Sequence, residues 1–198
     1  MKKITLVLMV ALFLSGAISA QTKDNGEVKI TDLTISSGKS SLSTGICGSI
    51  GIETGDEYKL IFEVNQSYMQ FMYGKVIGDF YIAGSGGYFN NTPWIGPYVT
   101  YSPTNWLSFL TWEGWEAGTD GKPSTKEVNM YFAYNSVKVS IGIFYAQYAL
   151  LHFEKCIPDN LPGVGIAIPV GKYTFSIGAD YSLRDEKPLF SGALTLRF

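Results

Sequence analysis

Apolar and polar residues alternate with a period of two along most of the chain beyond residue 27. That is the period of a β-strand whose two faces meet different surroundings. Residues 172–182 place Tyr173, Phe175, Ile177, Ala179 and Tyr181 on one face and Lys172, Thr174, Ser176, Gly178 and Asp180 on the other. Residues 126–135 set Val128, Met130, Phe132 and Tyr134 against Asn129, Tyr131, Ala133 and Asn135. Val137, Val139, Ile141, Ile143 and Tyr145 then share a face, as do Val164, Ile166, Ile168 and Val170. No segment holds a helical period over three turns, so the chain reads as all-β. The pattern predicts strands over 27–35, 42–53, 57–65, 68–75, 78–85, 93–102, 105–116, 126–135, 137–148, 163–170, 172–182 and 188–198. Twelve strands fit best. Ten or eight are the alternatives, because the first two are weakly patterned and the 65–68 junction is short.

The connections between these strands alternate in length. Thr54-Gly55-Asp56, Val76-Ile77, Ser102-Pro103-Thr104, Ser136 and Gly171 read as tight turns. GYFNNTP after 85, AGTDGKPST after 116, HFEKCIPDNLPG after 148 and LRDEKP after 182 read as longer loops. Short turns at one end, long loops at the other and both termini on the short-turn side describe an antiparallel up-and-down transmembrane β-barrel. Pro97 counts against this reading. A proline in mid-strand belongs on an edge, which a barrel lacks, so it predicts a bulge or a misplaced boundary.

The first twenty residues have a different character. Lys2 and Lys3 precede an apolar run from Ile4 to Leu14, and small residues close the segment from Ser15 to Ala20. This is the layout of a secretory signal peptide cut after Ser19 or Ala20, and its apolar run is too short to span a bilayer as a helix. The expected organisation is therefore a signal peptide over 1–20 and one barrel domain over 21–198. No cysteine follows the cleavage region, so a lipid anchor is not indicated.

Composition agrees with an exported barrel. Charged residues make up 16% of the 198 and aromatics 15%, and the formal net charge is −2, which excludes the basic footprint of a nucleic-acid binder. Transmembrane barrels carry aromatic girdles at both membrane interfaces. On the strand map, Tyr101, Trp106, Tyr134, Tyr173 and Phe198 lie beside the short turns, while Trp94, Trp112, Trp115, Tyr148 and Tyr181 lie towards the long loops. If the apolar face meets lipid, the lumen is lined by residues that include Glu113, Asn129, Tyr131, Lys138, Asp180 and Arg197. A Lys or Arg facing lipid at mid-depth would cost about 2–4 kcal/mol, so Lys138 and Arg197 fix this orientation.

Candidate chemistry is sparse. His152, Glu154 and Cys156 alternate, but one histidine in such a stretch reads better as a polar outer loop than as a metal site. Cys47 and Cys156 are read as free thiols, because one falls in a strand and the other in a distant loop. There is no G-x-S-x-G elbow, and Glu113 and Glu116 are three apart, which puts them on opposite strand faces. The Gly84-Ser85-Gly86-Gly87 run lacks the lysine and helix of a phosphate loop. No metal, cofactor or catalytic residue is expected.

The last strand, PLFSGALTLRF, puts Phe190, Gly192, Leu194, Leu196 and Phe198 on one face and ends the sequence on an aromatic. It resembles the carboxyl-terminal strand of bacterial outer-membrane β-barrel proteins. The resemblance is to the class and brings no subfamily residues with it. It implies outer-membrane lipid around the barrel and reading of the terminal strand, ending at Phe198, by the barrel assembly machinery. The expected function is a narrow channel for small polar solutes. The alternatives are a closed structural or surface-interaction barrel, a lipid-modifying enzyme using His152, and a soluble secreted β-sandwich.

Overall fold

The structure is a computed structural model that describes residues 29–39, 44–54, 57–65, 68–89, 92–117, 131–154 and 156–198. The segment read as a signal peptide and the lumen candidate Asn129 lie outside these residues. Twelve strands follow one another: β1 (Lys29–Lys39), β2 (Thr44–Thr54), β3 (Tyr58–Val64), β4 (Tyr68–Ile77), β5 (Phe80–Phe89), β6 (Thr92–Thr104), β7 (Leu107–Glu116), β8 (Tyr131–Ile141), β9 (Phe144–Phe153), β10 (Asp159–Val170), β11 (Tyr173–Ser182) and β12 (Lys187–Arg197). Each pairs antiparallel with its sequence neighbours, and β1 pairs with β12, so the sheet closes into a barrel.

Contacts between strands that are not neighbours identify the inner face. The Phe89 ring on β5 lies 6.2 Å from Phe153 on β9, and Trp94 on β6 lies 5.1 Å from Phe132 on β8. Only side chains pointing inward can meet across intervening strands. The opposite face leaves Ile35, Phe71, Ile82, Ile95, Val164, Phe175, Ile177 and Phe190 exposed all round the barrel. An apolar belt of this extent is not stable against water and fits a hydrocarbon surrounding.

Most tight turns fall one to three residues later than the hydrophobic pattern predicts. Gly78, Gly142 and Gly171 have φ near +60° and open two-residue hairpins closed by Ile77–Phe80, Ile141–Phe144 and Val170–Tyr173. Glycine at the first central position suits the twist of such hairpins. The turn expected at Ser136 is instead mid-strand, and β8 runs unbroken to Ile141. On the loop side the strands are longer than expected. Residues 86–89 and 149–153 continue β5 and β9, leaving only 90–91 between β5 and β6. Pro97 produces no change of register. The β6–β7 ladder omits pairs at 96 and 97 and resumes in step at Tyr98–Trp112.

On the β9–β12 wall, glycines let a side chain lie flat on the sheet. A Cβ at Gly165 or Gly178 would collide with the Tyr145 ring or hydroxyl, so Tyr145 reclines across β10 and β11 over both. Gly165→Val should therefore cost about 1–3 kcal/mol of unfolding free energy, as overpacking does. Gly84→Ala, where a Cβ meets nothing, should stay within about 0.5 kcal/mol of the parent. Urea titration in lipid vesicles checks both, and equal effects would refute the flat packing of Tyr145.

Candidate functional site

The barrel encloses a lumen, and its two ends differ. Towards the loops, Trp94, Trp112 and Phe132 meet edge to face, with centroids 5.4, 5.1 and 4.7 Å apart. Aromatic quadrupoles favour this arrangement. Gly114 makes it possible, because a Cβ there would strike the Phe132 ring. Tyr68, Gln70, Phe89 and Phe153 complete the ring of side chains, and the cavity they leave is about 10 Å³. That is room for roughly one water molecule. Beside this plug, Ala149, Leu151, Leu161 and Leu189 form a buried apolar cluster against Tyr134.

Towards the short turns the lumen is polar. Lys138 places its ammonium 4.1 Å from the Tyr145 ring centroid. Nearer the loops, two residues from the loop end of β11, Gln147 donates to Asp180 at 2.6 Å over Gly163, where a Cβ would meet the carboxylate. Back towards the turns, Lys59 pairs with Asp32 at 3.6 Å, and the Thr34 and Thr195 hydroxyls lie 2.9 Å apart. Arg197 points inward by register yet is exposed, so solvent reaches this end. Further in, Gln70 donates to Glu63, and the Tyr81 hydroxyl reaches the carbonyls of Lys59 and Met72 at 3.0 and 3.1 Å. Of these lumen residues, the alternation in the sequence assigns Lys138, Asp180, Thr195 and Arg197 to the inner face, and the others were not singled out.

Lys138, Asp180 and Arg197 thus face the lumen, as their alternation implies. Glu113 and Tyr131 do not. Trp112 and Phe132 point inward, so their neighbours in the strands point outward, where Tyr131 packs on Trp115 and His152. Tyr101, Trp106, Tyr173, Tyr181 and Phe198 lie on the outside. Trp94, Trp112 and Tyr134 are corrections. Trp94 is 2% exposed inside the plug, Trp112 meets it edge to face, and Tyr134 packs against the inner apolar cluster. Among the described residues no group of three His, Cys, Asp or Glu is placed to hold a metal, and Cys47 and Cys156 are free.

Outside the membrane span, the β11–β12 loop is tied down by charge. Asp159, fully buried, accepts from Ser182 Oγ at 2.7 Å and from the Arg184 backbone at 3.2 Å, with the Arg184 guanidinium 3.8 Å away. Hydrogen bonds from Arg184 and then Lys187 pull the Asp185 carboxyl down to about 2. Its contribution is present above the ordinary carboxylate range and is lost as pH falls through about 2.

A closed antiparallel barrel of twelve strands with an apolar exterior is the architecture of an outer-membrane β-barrel protein, at the level of the class. No family model and no curated protein matches the chain. Among solved structures, a KdgM porin is similar, with a TM-score of 0.48 and 10% identity over 86% of this chain and 99% of that one.

The opposite orientations of the tryptophans can be tested directly. In single-tryptophan variants refolded into vesicles of brominated-acyl lipid, fluorescence from Trp106 and Trp115 should be strongly quenched. Trp94 and Trp112 should be quenched several-fold less. Equal quenching at Trp94 and Trp115 would overturn the inward plug.

Proposed function

We propose that the protein is exported to the outer membrane and works there as a narrow channel for small polar solutes, shut on the loop side by the aromatic plug in the state described. The observation that carries this reading is the solvated polar lumen on the short-turn side. There Lys138 has no salt bridge among the described residues, and Arg197 is exposed although it faces inward. Charged groups are held in a lumen at low cost only if water is present. The blocking element is a set of side chains packed in the pore, so a rotation of Phe132 or Trp112 suffices to change its width. Charges of both signs line the path, which predicts weak ionic selectivity. The reading involves no catalytic step. Insertion would be directed by the terminal strand, whose Phe190, Leu194 and Phe198 face lipid.

A second reading, a permanently closed structural or surface-interaction barrel, is favoured by the residual volume of about 10 Å³ in the plug. Planar-bilayer conductance separates the two. Phe132→Ala and Trp112→Ala each remove part of the plug at a stability cost of about 3–5 kcal/mol. Each variant is first shown to be folded by its mobility on unheated and boiled gels. The channel reading expects brief small steps from the parent protein and steps several-fold larger from the variants. Folded variants that stay silent would decide for the closed barrel.

A further inference from the structure

The lipid-facing wall over β6 to β10 carries a polar row that hydrocarbon cannot satisfy. One cross-strand row runs Val99, Thr111, Asn135, Leu150, Asn160, each paired in register with the next. Its side chains point outward, because Trp112, Tyr134 and Leu151 beside them point into the lumen. A comparable row on the far wall runs Ile168, Phe175, Leu194, Ile35, Gly48 and is apolar throughout. Asn135 sits within β8 with four strand residues on the loop side and six on the turn side, which places it inside the apolar band.

Thr111 Oγ1 donates to Asn135 Oδ1 at 2.7 Å, and Asn135 is exposed. That bond uses one acceptor site of the amide, and among the described residues neither amide hydrogen has a partner. The pair lies on a groove of about 410 Å³ walled by Tyr101, Phe109, Val137 and Tyr148. Acyl chains can fill such a groove, but they bring no hydrogen-bond acceptor. The surface therefore calls for a partner that carries an acceptor to mid-membrane depth.

We infer that this wall is a twofold interface with a second copy of the chain, with Asn135 of each copy at the axis. A primary amide has both donors and acceptors, so it is complementary to itself across such an axis. Isologous contacts of this kind are the commonest in homo-oligomers. Polar side chains between membrane segments hold them together by replacing contacts with lipid. Tyr148 and Asn160, hydrogen-bonded to each other beside the groove, supply a further polar group at the edge of the same interface. The inference rests on the barrel and its outward face. It does not depend on whether the lumen conducts.

The test is cysteine cross-linking in intact outer membranes with the full chain, in a background carrying Cys47→Ser and Cys156→Ser. Val137→Cys, in the same groove wall and leaving the Asn135 amide in place, should give a disulfide-linked dimer when oxidised with copper-phenanthroline in air. Ile35→Cys, exposed on the far wall, should stay monomeric. No dimer at 137, or equal dimer at 35, overturns the inference. Asn135→Leu, a substitution lipid tolerates better, should move the monomer–dimer ratio in mild detergent at least tenfold towards monomer. Its heat-modifiable gel mobility should be kept. An unchanged ratio, or native mass spectra of the parent protein showing only monomer with bound lipid, also overturns it.

Discussion

The structure depends on closing one hydrogen-bond ladder. In hydrocarbon an unpaired backbone amide or carbonyl has no water to turn to, and only helices and closed barrels avoid leaving a row of them. Here the closure is the β1–β12 seam, in register from Asp32–Arg197 to Gly38–Ser191. Once it is made, every strand has two neighbours and every side chain points either to lipid or to the lumen. Register then decides chemistry, because a slip of one residue would exchange the two sets. The Thr34–Thr195 contact inside the seam and the exposed Ile35 and Leu194 outside it show both sets in their places.

A closed twelve-strand wall encloses more space than its backbone needs, so the inner side chains decide whether it is a passage. On the β9–β12 side, glycine and alanine keep the wall low, and Tyr145 lies flat upon it. On the β4–β9 side, large rings project and meet in the middle. The lumen is therefore polar and hydrated at one end and packed like a protein core at the other. The tightness of that packing relies on Gly114 as much as on the rings, since a methyl group there would displace Phe132.

Strand number, antiparallel order, closure and the side on which the termini lie were legible from period-two alternation. The facing of particular residues was partly legible and partly misread. Reading a turn at Ser136 lets Phe132 and Tyr134 face lipid while Lys138 faces the lumen. In the unbroken β8 these three even-numbered residues share a face. The signal for the true turn was Gly142, the counterpart of Gly78 and Gly171 in the other two hairpins. Trp112 and Trp115 are three apart in one strand, and Trp94 and Tyr101 seven apart in another, so in neither pair can both members face lipid. The polar residues on the lipid side were hidden for a different reason. Period two separates two faces without saying which is inside, and a lysine or arginine settles the matter only for its own strand.

These misreadings share a physical cause. Over β6 to β9 the usual distribution of a transmembrane barrel is partly inverted, with Trp94, Trp112, Phe132, Tyr134 and Phe153 inside and Thr111, Glu113, Asn135 and His152 outside. Filling the lumen with rings from this wall draws large apolar side chains away from the lipid surface of the same strands. Alternation then leaves the outward positions between them to smaller and more polar residues. The aromatic plug and the polar groove on the outer wall are two faces of one set of strands. Whatever selects for the first has to be reconciled with the second. A wall covered by another protein surface would permit both at lower cost than a wall facing lipid alone.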